Sequence, residues 1–135
     1  MHRFHLRVYY EDTDLAGIVY YANYLKFIER GRTEALIGLG VDQAALRAEV
    51  GVVFAVRRVE ADFLEPARFQ DELTVTTALR EMRGARVDLG QAVLRGETVL
   101  MRAEVRAVPL GPAGRPARLP DAVRRALEGL GGGGV

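Results

Sequence analysis

The sequence predicts an α+β domain in which one long helix lies on one antiparallel sheet. Apolar and polar residues alternate over 4–10, which is typical of a strand with one buried face. Apolar residues then recur with a period close to 3.6 over 24–39, which indicates an amphipathic helix. Further strand-like segments, joined by short turns, cover 52–64, 73–80, 85–93 and 99–107. Short connections force antiparallel pairing, and a helix on such a sheet is a stable layered architecture.

Length and composition indicate a single globular domain. The chain has 135 residues, 49% of them hydrophobic and 27% charged, so we expect one domain over 1–130 whose core needs no disulfides. The glycine-rich end, 131–135, is predicted to be disordered. The net charge of +1 argues against a nucleic-acid partner, and the absence of cysteine excludes thiol chemistry. No segment approaches the roughly 20 apolar residues of a membrane span, and the N-terminus lacks a signal peptide, which predicts a cytoplasmic protein.

Polar residues indicate where each helix begins. Asn23 is a candidate N-cap for the long helix, because its side chain can accept a hydrogen bond from a free backbone N–H group. Asp42 is placed to cap a short helix over 43–49, and Asp121 is placed to cap a terminal helix over 121–128. Only the first of these helices is long enough to cover much of a sheet.

The segment 9–24, YYEDTDLAGIVYYANY, joins the first strand to the long helix and carries the candidate chemistry. Asp14 stands among apolar residues just before a helix, and a carboxylate in such surroundings is suited to be a reacting group. Turn aspartates also commonly bond their own backbone, which is the structural alternative for Asp14. Asp12 lies two residues earlier, and we interpret it as a turn or salt-bridge residue that points the other way.

Three motifs in the sequence resemble those of the hot-dog-fold acyl-CoA thioesterases. They are Thr-Asp-x-x-Gly-Ile-Val-Tyr over 13–20, Glu-Arg-Gly-Arg-Thr-Glu over 29–34 and Asp-Phe-Leu-Glu-Pro-Ala-Arg over 62–68. The resemblance extends over about 4–108. It is closest to the 4-hydroxybenzoyl-CoA thioesterase family and to the thioesterases encoded beside the Tol-Pal system.

This resemblance implies a hot-dog fold, in which a five-stranded antiparallel sheet wraps around one central helix. It also implies homodimers that join their sheets edge to edge and often pair into tetramers, with active sites at the dimer interface and no metal. Asp14 matches the family's catalytic aspartate, and Tyr21, seven residues later, matches a tyrosine that supports it. Gly17 and Ile18, in the same motif, are expected to bind the substrate.

Thioester hydrolysis needs a nucleophile or an activated water, and donors for the developing oxyanion. Asp14 is suited to attack the carbonyl carbon, forming a mixed anhydride, or to act as a general base on water. Tyr21 is suited to donate its phenol to the carbonyl oxygen. The resemblance adds backbone donors from 51–54, which include Val53 and Phe54, across the dimer interface.

The acyl-CoA substrate carries phosphates, which need cations. The candidate phosphate-binding residues are Arg57, Arg58, Arg83 and Arg86, on or near strands. CoA enters as part of the substrate, so no cofactor is expected. Glu29 and Arg32 stand at i and i+3 on the long helix, and we interpret them as an intrahelical ion pair.

Two other activities are compatible with a hot-dog domain. One is an acyl-CoA or acyl-carrier-protein binding module without turnover, but a pocket for a neutral thioester gains nothing from a buried carboxylate, which is costly to desolvate. The other is a dehydratase, which needs a histidine on or before the central helix. The histidines here, His2 and His5, lie near the start of the first strand. They also make a poor metal site, because no carboxylates accompany them at fixed spacing.

Overall fold

A computed structural model describes residues 1–132, and it contains a single five-stranded sheet. In chain order the elements are β1 (His2–Arg7), α1 (Asn23–Gly38), α2 (Gln43–Val50), β2 (Val53–Phe63), β3 (Glu72–Arg83), β4 (Arg86–Arg95), β5 (Thr98–Leu110) and α3 (Asp121–Glu128). The strands are ordered β1-β3-β4-β5-β2, and every neighbouring pair is antiparallel. The predicted fold class, one long helix on an antiparallel five-stranded sheet, is thereby confirmed.

Strands β3, β4 and β5 form a meander, whereas β2 does not pair with the strand that follows it. Tight turns with Gly84 and Gly96 at positive φ join the meander strands, as the short connections predicted. β2 pairs with β5 instead, with Val53 opposite Leu110. The expectation that consecutive strands pair is wrong for β2 and β3, because β1 occupies the place beside β3. As a result, β2 forms one free edge of the sheet.

Helix α1 buries one face against the sheet. Phe27, Ile28 and Ala35 are at most 2% exposed and follow the predicted helical period. A Cβ atom at Gly31 would lie 2.5 Å from Cγ1 of Val75 on β3, so the glycine lets the helix approach the sheet closely. The main core joins this helix face to inward residues of β3, β4 and β5.

The helices begin close to where the sequence predicts, but two of the three N-caps differ. Asp42 caps α2 as predicted, and its Oδ1 accepts a hydrogen bond from Ala45 N at 3.0 Å. Asn23 is the first residue of α1 rather than its N-cap, because its side chain donates to Asp12. Asp121 is likewise the first residue of α3, where its carboxylate favours the helix dipole. No helix in the described part of the chain is long and apolar enough to cross a membrane.

The two ends of the described chain meet beside β3. The amino group of Met1 donates to the carbonyl oxygen of Leu130 at 2.6 Å, and Leu79 N donates to the carbonyl oxygen of Gly131 at 2.9 Å. The rest of the predicted disordered tail, 133–135, lies outside the described residues, so its disorder stays a prediction.

Candidate active site

Asp14 lies in a short loop between β1 and α1 that is held by its own backbone. Its N–H donates to the carbonyl oxygen of Ile18 at 2.9 Å, and its carbonyl oxygen accepts from Gly17 N at 3.0 Å. Gly17 has a φ of +78°, a conformation that favours glycine. Ile18 forms an isolated antiparallel bridge with Arg68, in the connection between β2 and β3. Gly17 and Ile18, both predicted to bind substrate, therefore share one loop with Asp14.

The carboxylate of Asp14 is exposed, and the protein uses only one of its oxygens. Oδ1 accepts a hydrogen bond from Ala16 N at 2.9 Å, which is the local turn bond named as the structural alternative. Oδ2 has no hydrogen-bond partner among residues 1–132. The apolar neighbours do not enclose the carboxylate in the single chain, since Leu15 is fully exposed. Asp14 therefore offers one fixed oxygen and one free oxygen at the surface.

Asp12 is a buried structural residue rather than a surface one. Only 4% of it is exposed, and its two oxygens accept hydrogen bonds from Asn23 Nδ2 and Tyr9 N, each at 2.8 Å. It is a turn residue, as predicted, but its partners are amides and not a cation. A single 3₁₀ turn over Tyr10–Asp12 folds the carboxylate back towards α1. The Asp14 loop is thereby tied to the start of the helix.

Two adjacent tyrosines, Tyr20 and Tyr21, follow the Asp14 loop. Tyr21 is 61% exposed, and its ring stands 4.9 Å from that of Tyr20 and 5.9 Å from that of Phe63. The pKa of Tyr20 is raised, chiefly by hydrogen bonding with Tyr21 and more weakly by the negative charge of Asp14. Tyr20 stands between the two predicted residues, since its ring contacts that of Tyr21 and its pKa responds to the charge of Asp14. Tyr20 is a neighbour that the sequence reasoning missed, although it stands in the same motif.

The residues just before α1 offer backbone donors that the sequence did not predict. Asn23 N donates to the carbonyl oxygen of Tyr20 at 2.8 Å, and Tyr24 N donates to that of Tyr21 at 3.3 Å. By contrast, the N–H groups of Tyr21 and Ala22 have no acceptor within the described part of the chain. They stand at the positive end of a 16-residue helix, where a developing negative charge is favoured.

The predicted donors on β2 lie far from Asp14 in the single chain. Val53 and Phe54 are at the start of the strand, whereas Phe63, which contacts Tyr21, is at its end. Strand geometry puts about 30 Å between the two ends. A single chain therefore does not bring the two predicted halves of the site together.

β2 is one of the two edge strands of the sheet, and much of it is exposed. Its exposed apolar side chains are Val53, Val56, Val59 and Phe63. Arg57 and Arg58, two of the predicted phosphate-binding residues, are also exposed, and Arg58 forms an ion pair with Glu60 at 3.5 Å. Neither arginine approaches the Asp14 loop along the strand, because both stand nearer its middle than its Phe63 end.

The predicted Glu29–Arg32 ion pair does not form. Oε1 of Glu29 accepts from Thr33 Oγ1 at 2.9 Å, and Nη1 of Arg32 donates to Oε1 of Gln91 at 2.9 Å. The reason is that Arg32 turns inward, towards a buried amide on β4, while Glu29 stays exposed. Across residues 1–132, no three histidine or acidic side chains are grouped so that they could hold a metal ion.

Comparisons with known proteins point to one family. The thioesterase-like superfamily matches residues 8–127 of this chain. The acyl-CoA thioester hydrolase YbgC of Escherichia coli O6:H1 is 42% identical over 123 residues, which cover 90% of this chain and 91% of that protein. The acyl-CoA thioesterase YbgC of Haemophilus influenzae is 39% identical over 129 residues, which cover 94% of each protein.

A solved structure agrees with these relatives. The crystal structure of a probable thioesterase from Bartonella henselae is 41% identical and superposes with a TM-score of 0.85, covering 88% of this chain and 98% of that one. The family match includes the Asp14 loop, α1 and strands β2 to β5. The chain therefore belongs to the thioesterase-like superfamily and adopts the hot-dog fold.

Proposed function

We propose that this chain hydrolyses acyl-CoA thioesters to the free acid and CoA, with Asp14 as the catalytic carboxylate. The observation that carries the proposal is the free Oδ2 of Asp14, in the loop that leads to the exposed Tyr21 and to two unbonded backbone N–H groups before α1. A carboxylate and convergent donors are the two things that acyl transfer requires. The relatives named as acyl-CoA thioesterases supply the substrate class.

In this site the thioester carbonyl oxygen lies against the N–H groups of Tyr21 and Ala22, which stabilise the oxyanion as it forms. The Tyr21 phenol is a further donor. Asp14 acts through Oδ2, either by attacking the carbonyl carbon or by taking a proton from the water that attacks it. The carbon–sulfur bond then breaks, and CoA leaves as the thiolate and takes up a proton. CoA is part of the substrate, and no cofactor enters the scheme.

The two roles of Asp14 differ in where the oxygen of water goes. In a single turnover in ¹⁸O water, a general base places the label in the released acid. A nucleophilic Asp14 instead forms a mixed anhydride with the acyl group. When water attacks the aspartyl carbonyl of that anhydride, the label enters Asp14 and the acid leaves with an oxygen that came from Asp14. Mass spectrometry of the Asp14 peptide and of the acid separates the two roles.

The second half of the site is proposed to come from another copy of the chain. An unpaired edge strand with exposed apolar side chains favours pairing with a second β2. Antiparallel pairing of two β2 strands about their middles places Val53 and Phe54 of one copy beside Phe63 of the other. In that arrangement Arg57 and Arg58 of both copies lie near the middle of the paired strands. A pair of such dimers gives the tetramer that the resemblance implies.

The test of Asp14 is thiol release from acyl-CoA thioesters of different chain types, measured with a colorimetric thiol reagent. The protein has no cysteine to interfere. Asp14→Asn keeps a side-chain oxygen that accepts the hydrogen bond from Ala16 N, so thermal stability is expected to be retained. Turnover is expected to fall by about 10²- to 10⁴-fold. Glu11→Gln, an exposed neighbour, is the matched control and is expected to retain turnover. Full activity of a folded Asp14→Asn protein refutes the assignment, and tight binding without any turnover by the natural sequence indicates a binding module.

The shared site is tested by complementation. Val53→Pro removes one backbone N–H at the first residue of β2, where proline is tolerated. Neither Val53→Pro nor Asp14→Asn is expected to be active alone, but mixed dimers of the two contain one intact site. Activity of the mixture above the sum of the separate variants supports the shared site. If mass spectrometry shows that mixed dimers have formed and their activity does not recover, the shared site is contradicted.

A cytoplasmic location stays a prediction from the sequence.

A further inference from the structure

A groove with both apolar and charged lining runs between α1 and β2 and includes Arg32, which is partly buried. We call it the α1–β2 groove; its apolar lining is Leu25 and Ile28 on α1 and Val56 and Val59 on β2, and its charged lining is Lys26, Glu29, Arg30 and Arg32. It has a volume of about 450 Å³, and Leu25 and Val59 at its edge stand four positions from Tyr21 and Phe63, whose rings contact each other. Beyond it lies a second cavity of about 210 Å³. Arg32 lines both volumes and therefore stands where they meet.

The deeper cavity is apolar apart from a few groups. Its apolar lining includes Leu36, Phe54, Val87, Leu89, Leu127 and Leu130. Arg32 and Thr77 are polar members of the lining on its inner side, and Glu29 stands towards the exposed side of α1. The lining of this space is therefore mainly hydrocarbon, and its polar members are Glu29, Arg32, Thr33, Gln43 and Thr77.

The guanidinium of Arg32 is held by an uncharged network. Its Nη1 donates to Gln91 Oε1, and Gln91, which is 1% exposed, donates its own Nε2 to Ile28 O at 2.8 Å and to Thr77 Oγ1 at 2.9 Å. Both donor positions of the Gln91 amide are thereby used, which fixes its oxygen towards Arg32. Burial lowers the pKa of Arg32, and the charge of Glu29 partly offsets this effect.

Arg32 nevertheless has donors to spare. A guanidinium carries five N–H donors, and in residues 1–132 only the bond to Gln91 is formed. Within the same residues, no carboxylate oxygen lies within 4.0 Å of its nitrogens. A partly buried cation without a hydrogen-bonded counter-ion is costly. Such a group is best explained if a ligand supplies the missing acceptor.

The length of the groove sets the length of that ligand. Tyr21 precedes Arg32 by eleven residues, which corresponds to about 16 Å of helix. An extended chain advances about 1.2 Å per bond, so an acyl group of about twelve carbons spans this distance. Edge pairing of β2 with a second copy uses its free backbone groups and leaves its inward side chains, Val56 and Val59, facing α1.

We propose that the α1–β2 groove binds the acyl chain of the substrate and that Arg32 selects acyl groups carrying an oxygen acceptor at the far end. This inference rests on the proposed thioesterase function, and it names the substrate class of that site. A terminal carboxylate supplies both an acceptor and a counter-charge for Arg32. A terminal hydroxyl accepts a hydrogen bond from Arg32 and is able to donate one to the carboxylate of Glu29. A terminal methyl group supplies neither and leaves the guanidinium desolvated and unpaired.

The experiment compares CoA thioesters of equal length that end in methyl, hydroxyl or carboxylate, over eight to fourteen carbons. We expect kcat/KM for the oxygen-bearing groups to exceed that for the methyl group by about 10- to 100-fold near twelve carbons, as expected for hydrogen bonds to a charged group. In Arg32→Met the preference is expected to disappear or reverse in favour of methyl. Arg32→Gln keeps a partner for Gln91 and is expected to lose the carboxylate preference. Arg47→Met, at an exposed position on α2, is the matched control and should keep the natural ranking.

Each comparison is a ratio of kcat/KM values for different chain ends within one variant. A loss of stability lowers all of these values equally and therefore does not change the ratio. An equal loss for all three chain ends in both Arg32 variants makes Arg32 structural and overturns the proposal. A natural preference for methyl at every length also overturns it, while leaving the thioesterase function intact. Calorimetric binding of the same thioesters to Asp14→Asn gives the ranking independently of turnover. If nothing is hydrolysed, the proposed function fails and the binding ranking still decides the role of Arg32.

Discussion

Replacing Asp12 by alanine is expected to destabilise the protein more than any exposed acid in the same loop. The substitution leaves Asn23 Nδ2 buried without an acceptor, which costs about 2 kcal/mol, and leaves Tyr9 N partly buried, which costs about 1 kcal/mol. The sum, about 3 kcal/mol, corresponds to a fall in the melting temperature of roughly 10 °C for a chain of this size. Urea titration gives the free energy of unfolding directly.

Two further variants make this prediction specific. Glu11→Ala, at the exposed neighbouring acid, is expected to change the free energy of unfolding by no more than about 0.5 kcal/mol. Asn23→Ala removes the same hydrogen bond from the other side, so the double variant with Asp12→Ala should show a coupling energy of about 1.5–3 kcal/mol. The reasoning is refuted if Asp12→Ala lies within 0.5 kcal/mol of the natural sequence, or if the two substitutions are additive.

Three other substitutions test the fold. Tyr24→Phe removes the acceptor for Ala67 N (2.9 Å) and is expected to lower the free energy of unfolding by about 1–3 kcal/mol at neutral pH. Burial raises the pKa of Tyr24, so above a pH of about 10 the folded state keeps a proton that the unfolded state releases, and the natural sequence loses stability. The difference in stability between Tyr24→Phe and the natural sequence should therefore narrow as the pH rises above about 10. A constant deficit up to pH 11 in urea titrations contradicts that assignment. Asp42→Ala removes the N-cap of α2 and should cost about 1 kcal/mol, and an unchanged melting temperature shows that the cap contributes nothing. Gly38→Ala places a Cβ atom 3.7 Å from the His2 ring, which is an ordinary van der Waals contact. Because alanine favours the helix over glycine, the free energy of unfolding should rise by up to about 1 kcal/mol. A loss of stability counts against the placement of the His2 ring beside Gly38.

The local parts of the structure were predictable from the sequence. The helical period of α1 gives the residues that face the sheet, and the glycine turns give the β3–β4–β5 meander. The motif around Asp14 and Tyr21 predicts a single segment before α1, and in the structure Tyr20 contacts Tyr21 and responds to the charge of Asp14. These features depend on residues close in sequence, where spacing alone decides which side chains share a face.

The features that sequence reasoning missed depend on distant pairings. Asp12 is buried because a single 3₁₀ turn folds it onto α1, and alternation does not reveal such a turn. Arg32 meets Gln91 across 59 positions of sequence, so its spacing from Glu29 suggested the wrong partner. The edge position of β2 follows from the insertion of β1 beside β3, which no local pattern encodes.

The position of β2 also bears on how the chain folds. Val53 pairs with Leu110, which is fifty-seven residues later in the sequence, and Phe63 pairs with Met101, which is thirty-eight residues later. Such long-range pairings raise the contact order and slow folding. During synthesis β3, β4 and β5 are able to form their meander in order of appearance, while β2 stays unpaired on both sides until β5 has been made. We expect β2 to dock late, and its apolar side chains are then the part of the nascent chain most prone to association with other chains.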